Sequence, residues 1–404
     1  MAEIEPDLDA PPGFLAARFA GTGMVAGILE PQNLAEPVDW AALVSGLETW
    51  GEVPKPDSIT SISTTATDRG LTAELSSDSE WLAEFLPWGS DGRLRARAKA
   101  APKGSRVPSG GYSWKGTDLI IIRPKEPLMT DAAQEVARAL EADDMAAAEN
   151  ELRMAGAVLG LYHVRAEAAR TTPPDPSRWN ARTQWLEETL RATFIWRAKY
   201  SKNQPCTLSL GDVRLSDISG DSLRIGRPRL ADALRTHTCE FPAMRDLASL
   251  VHDLSRTHHS LSTRLEITPL RSALIDGWKS TAPEDWTSDE AFYSHRGGMA
   301  IWEYEQCLLD VLEATSHQSG APEPAVTTLA YVKAYQKRMF SNRTFSSLSV
   351  MAAFFGIASL ANTFPPTMVE IPIPIACIAL SYWLNGVYKR MSPPPERPFT
   401  DLGR

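Results

Sequence analysis

The sequence predicts an α+β fold, with a small β-rich region, then a larger helical region, and finally a two-helix hairpin in a membrane. Short segments of alternating or β-branched residues occupy residues 57–124, whereas apolar residues at helical spacing prevail from Thr130 onward. Two long uncharged segments lie near the C-terminus. Strands that precede a run of helices are typical of the α+β class.

The composition is that of a globular protein and excludes several classes. The chain has 404 residues, of which 43% are hydrophobic and 23% are charged, so a substantial core can be buried. A net charge of −9 argues against a general nucleic-acid binder, which would usually be basic, and we expect no nucleic-acid partner. Four cysteines without a CxxC pair favour reduced thiols in a cytoplasmic domain. The acidic N-terminus does not resemble a signal peptide.

The first third of the chain contains the predicted β-rich region. Residues 1–39 read as an acidic, loosely ordered lead, and residues 40–125 as the β-rich region. Asp118–Pro124 is a continuous apolar run that suits a central strand. Further strands are predicted at Ile59–Thr65, Leu71–Leu75 and Leu94–Ala100, and helices at Trp40–Trp50 and Ser77–Phe85.

Residues 126–320 are predicted to be mainly helical. Thr130 is the expected N-cap of the first helix, since early acidic residues follow it. Short strands are expected at Leu223–Ile225 and Arg229–Asp232. The expected helices are Ala133–Glu149, Leu152–Ala169, Trp179–Tyr200, Met244–Arg256, Leu265–Lys279 and Ser288–Ala314.

The C-terminal part predicts a membrane anchor. A basic juxtamembrane helix at 321–343 precedes a transmembrane hairpin at 344–390, and 391–404 is expected to be a disordered tail. The hairpin's two uncharged segments have about the length that a bilayer requires, with prolines and Glu370 between or beside them. Lys and Arg flank both outer ends, which places the soluble part and both termini on the cytoplasmic side. A hairpin buried in a soluble core is the competing interpretation.

Four segments in the soluble part resemble motifs of aminoglycoside-phosphotransferase-like kinases and the protein-kinase-like fold. Residues 155–163 end in Tyr162-His163, like the helix before the catalytic loop. Residues 208–217 resemble the catalytic loop, normally H-G-D-x-x-x-x-N, and residues 229–232 stand where a metal-binding Asp would follow. Residues 244–250 resemble the downstream D-L-A helix. The resemblance covers roughly residues 55–315 and implies a two-lobed kinase-like domain.

The resemblance also implies site residues. Asp212 would be the catalytic base, and Asp217, where the family has Asn, would bind a metal with Asp232. Asp221 competes with Asp232, and Lys99 is the expected ATP-facing lysine because it ends a strand-like run. Asp246 and His163 are expected to be structural, with Asp246 holding the catalytic loop.

The sequence also departs from the family pattern. Leu210 stands where His is usual, no D-F-G-like triplet follows Asp217, and there is no Gly-rich phosphate loop. The K-x-G-Q motif of the UbiB-type membrane kinases is absent as well. The leading hypothesis is therefore a membrane-anchored pseudokinase that acts as a scaffold or regulator and binds a membrane-protein partner. An active small-molecule or lipid phosphotransferase using Mg-ATP, and a membrane assembly factor with a soluble domain unlike a kinase, remain alternatives.

Overall fold

The structure, a computed structural model, describes most of the chain. The described residues are 2–4, 10–19, 25–29, 34–67, 69–90, 93–126, 130–166, 175–190, 206–225, 227–234, 240–288, 292, 298–316, 320–362 and 371–391. The predicted order of a β-rich region followed by a helical region is confirmed. The end of the predicted helix Trp179–Tyr200 and most of the predicted tail, 392–404, lie outside the described residues.

A six-stranded antiparallel sheet forms the β-rich region. Its strands run in the order β4-β8-β9-β7-β6-β5, and β9 is buried along almost its whole length, as expected of an interior strand. Helix α1, Pro37–Val44, contributes Trp40 to the core on one face of the sheet. The strands are β4 Glu48–Gly51, β5 Ser61–Thr67, β6 Gly70–Ser76, β7 Glu80–Ser90, β8 Gly110–Trp114 and β9 Thr117–Pro124.

Four predictions for this region are wrong. The predicted helix Trp40–Trp50 ends at Val44, and Glu48–Gly51 is strand β4. Residues 1–39 include β1 Ala2–Ile4, β2 Phe14–Phe19 and β3 Val25–Leu29, which pair as an antiparallel sheet instead of a loose lead. Residues 80–85 belong to strand β7, because Ala83 and Phe85 pack in the core with Trp40, whereas Leu86 packs on the other face in the core of the helical region. Leu94–Ala100 lies in helix α2, Arg93–Ala100, since its buried positions Leu94 and Arg97 are three residues apart.

Helices dominate the chain from residue 130 onward. Helix α3 begins after Asp131, whose carboxylate accepts a hydrogen bond from the Gln134 amide at 2.9 Å, so the cap is Asp131 and not Thr130. Arg229–Asp232 is not a strand, because it leads into a short helix. The helices are α3 Ala132–Glu141, α4 Met145–Arg165, α5 Pro176–Thr189, α6 Leu230–Leu234, α7 Ala243–Ser260, α8 Ile267–Thr281 and α9 Gly298–Ser316.

Short strands connect these helices. They are β10 Cys206–Thr207, β11 Ile218–Ser219, β12 Ser222–Leu223 and β13 Phe241–Pro242, of which β10 pairs with β13 and β11 with β12. The β11–β12 hairpin follows directly after the loop that carries Asp212 and Asp217.

The glycines of the segment 155–163 allow two helices to approach closely. A Cβ on Gly156 would collide with the backbone of α8 at Leu274, and one on Gly160 with the Thr281 hydroxyl. On the facing helix, a Cβ at Gly277 would collide with the Arg153 carbonyl. This approach brings His163 of α4 next to Trp278 of α8.

The two C-terminal helices form an antiparallel hairpin. Helix α10, Ala325–Asn362, begins in the core of the helical region, where Ala325, Leu329 and Val332 are buried. Helix α11, Pro372–Met391, runs back along it, and the Ser349 hydroxyl donates to the Ser381 carbonyl at 2.8 Å. The connecting residues 363–370 lie outside the described residues.

In the described part of the chain, one helical segment is long and apolar enough to cross a membrane, Ser341–Asn362. Helix α11 does not meet the same criterion, because its apolar stretch is shortened by Asn385, Lys389 and Arg390 in its last turns. Of the two predicted membrane spans, the first is therefore supported by its length and composition.

Candidate functional site

The loop that carries Asp212 is held in place by a buried carboxylate. Asp246, on α7, accepts hydrogen bonds from the Leu210 amide at 3.1 Å and from the Ser209 hydroxyl at 2.7 Å. Leu210, which stands where the resemblance expects His, is fully buried in the core. Gly211 has a φ of +89°, a backbone conformation that other residues rarely adopt. These contacts fix the loop immediately before Asp212.

His163 supports Asp246 and is not available as a base. Its Nδ1 accepts a hydrogen bond from Trp278 Nε1 at 3.0 Å, which leaves Nε2 to donate to Asp246 at 3.3 Å. Burial opposes ionisation of Asp246, but the hydrogen bond from His163 and the contacts with the loop outweigh it and lower its pKa. Both side chains are fully buried, as the structural role predicted for them requires.

Asp212 lies among three arginines. Arg69 Nε is 3.0 Å from its carboxylate, Arg214 Nε is 3.1 Å away and Arg229 Nη1 is 3.6 Å away. Burial opposes ionisation, yet Arg214, Arg69 and Arg229 together hold the pKa of Asp212 far below its usual value. Asp212 is therefore an anion engaged by guanidinium groups, which makes it a very weak base.

Asp217 is paired with the same arginine. Arg69 Nη1 and Nη2 donate to its two carboxylate oxygens at 2.8 and 2.7 Å, the two-pronged geometry that suits a guanidinium and a carboxylate. The Arg214 amide donates to Asp217 at 3.0 Å, and Arg224 Nε lies 3.6 Å away. Arg69 follows strand β5 in the turn to β6, so a cation from the β-rich region bridges both acids of the loop.

Asp232 lies beside this loop but pairs with the helical region. Arg182 Nη2, on α5, donates to Asp232 at 2.8 Å, and the same guanidinium binds Glu305 of α9 at 2.8 Å. Arg245 completes the group with a 2.7 Å bond to Glu305. The competing residue, Asp221, is exposed in the β11–β12 hairpin. Asp232 thus belongs to a buried ion-pair network between helices.

Lys99 was expected to face ATP because it ends a strand-like run, and that run is helix α2 in the structure. Lys99 is exposed on helix α2, whereas Arg97 of the same helix is buried and donates from Nη1 to the Ser209 carbonyl at 3.0 Å. The reason is the helical conformation, which turns positions 97 and 99 to different faces.

A second acid faces the helical region from the middle of the sheet. Glu84, on β7, is fully buried and pairs with Arg123 at 3.1 Å, with Arg224, and with Arg227 at 3.9 Å. Burial opposes its ionisation, but these cations lower the pKa of Glu84 to about 2. Burial and the neighbouring arginines lower the pKa of Arg227 to about 10, so it remains protonated at neutral pH.

The ion pairs join the β-rich region to the helical region. Besides the Arg69 bridge, Arg227 Nη1 donates to the Arg69 carbonyl and, at 3.1 Å, to the Phe85 carbonyl. Arg106 Nη2 donates to the Asp217 carbonyl at 2.8 Å, and its backbone pairs with that of Arg224. The space between the two regions is thus crossed by buried guanidinium groups.

The sequence analysis missed Arg69, Glu84, Arg97 and Arg227. A signal existed for Glu84, since Leu82 and Leu86, its neighbours on the same face of a strand, are apolar and indicate that an acid between them is buried with a partner. Reading residues 77–85 as a helix hid that alternation. No local pattern identifies Arg69, which lies 148 positions from Asp217.

Within the described ranges, no group of three or more His, Cys, Asp or Glu side chains is arranged to hold a metal ion. Asp212 and Asp217 supply the carboxylate oxygens that Mg²⁺ prefers, but Arg69 already lies against both. A cation and Mg²⁺ cannot share these oxygens without strong repulsion, so the arrangement as it stands does not fit Mg-ATP.

Comparison with known proteins finds solved structures that match at low identity and low TM-score. No protein-family model and no curated protein matches the chain. A solved glucosamine kinase is 15% identical, with a TM-score of 0.47 over 82% of this chain and 92% of that one. The enzyme in complex with glucosamine, ADP and inorganic phosphate is 16% identical, with a TM-score of 0.42 over the same shares.

An aminoglycoside phosphotransferase from Ralstonia eutropha JMP134, itself described as a tentative assignment, is 12% identical with a TM-score of 0.39. It is matched over 67% of this chain and 88% of its own. At TM-scores below 0.5 these similarities add nothing to the roles of individual residues, which rest on the contacts given above.

Proposed function

We propose that this protein is a membrane-anchored pseudokinase, a kinase-like domain that acts as a binding platform for a membrane-protein partner and not as a phosphotransferase. One observation carries the proposal: Arg69 lies within ion-pairing distance of both Asp212 and Asp217. These are the carboxylates that the resemblance to kinases would assign to the substrate hydroxyl and to the metal. A phosphotransferase needs them free.

The kinase-like architecture is supported by the order of the elements. Strands β5, β6 and β7, helix α2, and strands β8 and β9 follow one another along the chain and build one sheet, after which the chain is helical. Asp246 holds the loop before Asp212 from a buried helix. These features favour a kinase-like domain over the assembly factor with an unrelated soluble domain.

The charges in the sheet are the reverse of what phosphate binding requires. A protein kinase carries a Lys on its third strand, paired with a Glu on the following helix. Here the inward-facing charged residue of β7 is Glu84, and helix α2 carries Arg95, Arg97 and Lys99. Glu84 is paired with Arg123, Arg224 and Arg227, so an acid and its partners stand where a kinase has its phosphate-binding lysine.

An active phosphotransferase is the second candidate, and the well-supported loop favours it. Asp246, His163 and the left-handed Gly211 would position Asp212 if Arg69 moved away. Because Arg69 lies in the turn between two strands, a movement of that hairpin would release both acids.

Membrane anchoring is supported by the surface of the C-terminal hairpin. Its outward side chains are large and apolar and are largely exposed, which is unusual for a soluble protein. A buried core hairpin would not leave them in water. We propose that both helices insert, with both termini on the cytoplasmic side. The most exposed side chains are Val350, Phe354, Phe355, Ile357, Ile373, Ile375, Tyr382 and Trp383.

The experiment is thermal unfolding of the full chain in detergent with and without Mg-ATP, together with a phosphoryl-transfer assay. We expect no Mg-ATP-dependent shift and no transfer to aminosugar or lipid acceptors. A ligand at 100 times its Kd would stabilise by about 2.7 kcal/mol, which such a measurement detects easily. A shift that is lost in Asp217→Asn, together with transfer that is lost in Asp212→Asn, would replace the pseudokinase with an active enzyme.

The anchor is tested separately. We expect the full chain to stay with membranes after carbonate washing and a chain lacking residues 344–390 to be released. Recovery of the full chain in the carbonate supernatant would refute the anchor and leave the pseudokinase assignment untouched.

A further inference from the structure

The cytoplasmic end of the hairpin carries an exposed basic surface, which we call the basic collar. It consists of Lys337 and Arg343 on α10 and of Lys389 and Arg390 on α11, all exposed. The two helix ends are tied together, because Asn342 Nδ2 donates to the Met391 carbonyl at 2.8 Å. The four cations therefore lie at the same end of the hairpin.

No negative charge within the two helices offsets this collar. The sequences of α10 and α11 contain no Asp or Glu. Four like charges at one end of an apolar hairpin repel one another unless counterions or anionic groups lie close by.

The height of the collar is set by a continuous helix. Val332 of α10 packs in the core of the helical region, and the apolar segment that is long enough to cross a membrane begins at Ser341. Nine residues of helix span about 14 Å. Lys337 lies four residues, about 6 Å of helix, before Ser341, and Arg343 lies in the first turn of the segment. The headgroup layer of a bilayer is about 5–8 Å thick on each side, so the collar falls at headgroup level.

We infer that the basic collar binds the headgroups of anionic phospholipids and holds the helical region against the cytoplasmic face of the membrane. This inference rests on the membrane anchoring proposed above. A neutral bilayer would satisfy the apolar side chains equally well, but it would leave the collar without counter-charge. Each Lys or Arg near an anionic surface adds attraction that falls off within a Debye length.

The test is thermal unfolding of the full chain in neutral detergent micelles that contain phosphatidylglycerol or phosphatidylcholine. We expect phosphatidylglycerol to raise the melting temperature by about 2 °C or more relative to phosphatidylcholine at low salt. The difference should disappear at about 0.5 M NaCl, where the Debye length is about 4 Å. Soluble glycerol phosphate at the same concentration should give no shift, which separates a lipid headgroup from a free phosphate.

A variant with all four collar residues replaced by Gln should lose the difference between the two lipids. The matched control replaces four exposed arginines of the soluble part by Gln and should keep the difference; these are Arg138, Arg153, Arg178 and Arg264. Equal melting temperatures in both lipids for the unmodified chain, or an undiminished difference in the collar variant, would overturn the inference. Carbonate washing of the same variant shows whether the anchor itself has failed.

Discussion

Replacement of Arg69 by Gln tests whether its guanidinium takes the place that a metal ion would have between Asp212 and Asp217. Arg69 donates to Asp217 at 2.8 and 2.7 Å and lies 3.0 Å from Asp212. Removing one partner of a buried ion pair costs about 3–5 kcal/mol. Since Asp212 keeps Arg214 at 3.1 Å, and Asp217 keeps the Arg214 amide at 3.0 Å, we expect the lower end, about 3 kcal/mol.

The assay is thermal unfolding of the full chain in detergent, with and without MgCl₂. A loss of about 3 kcal/mol corresponds to a fall in melting temperature of about 5–10 °C. Because the variant leaves two carboxylates short of a cation, we expect Mg²⁺ to restore part of its stability while the unmodified protein does not respond. The control is Arg153→Gln, which breaks an exposed pair on one helix and should cost about 0.3–0.5 kcal/mol.

Two results would refute this reasoning. If Arg69→Gln is no less stable than Arg153→Gln, the contacts of Arg69 with the two acids do not hold the regions together. If Mg²⁺ stabilises the unmodified protein as much as the variant, Arg69 does not compete with the metal, and the pseudokinase proposal loses its main support.

Three further predictions concern the interior. Because the pKa of Glu84 is lowered to about 2 in the folded protein, its carboxylate stabilises the fold at pH values above its unfolded pKa of about 4.3. On the order of 3 kcal/mol of the free energy of unfolding is lost as the pH falls towards about 2. In Glu84→Gln, the free energy of unfolding should therefore depend less on pH in this acid range. Asp246→Asn and His163→Ala should each destabilise by about 2–4 kcal/mol, and the double variant by less than the sum, as chemical denaturation of all three would show. Gly156→Leu should lower the free energy of unfolding by about 3 kcal/mol or more, because the new side chain would collide with Leu274 on α8. An unaltered melting temperature, measured by circular dichroism on heating, would show that this is wrong.

The sequence predicted the parts of the fold that depend on local patterns. Asp118–Pro124, with the apolar run Leu119–Ile122 at its centre, lies inside the sheet, while the long helices follow their apolar spacing. Part of strand β7 was predicted to be a helix, and helix α2 was predicted to be a strand, because each carries a charge at a buried position. Glu84 and Arg97 are such charges, and burial of a charge is decided by a partner elsewhere in the chain.

The residue that holds the loop could be predicted from the sequence, whereas the ion pairs of the loop's acids could not. Asp246 was expected to hold the loop, and the Leu210 amide and the Ser209 hydroxyl do bind it. The pairing of Asp212 and Asp217 with Arg69 spans more than 140 positions. Periodicity and motif spacing carry no information about such distant pairs, so a site can look usable in sequence while its acids are already engaged.

The arginines that pair with the acids of the loop also connect the two regions. In a kinase, metal ions and nucleotide phosphates lie between the two lobes. Here Arg69 reaches from the sheet to Asp217, and Arg224 reaches from the helical region to Glu84. Both ion pairs are formed by side chains of the chain itself, so they need no ligand. A domain closed in this way should keep one arrangement whatever the nucleotide level, which suits a constant binding surface at the membrane better than a catalytic cycle.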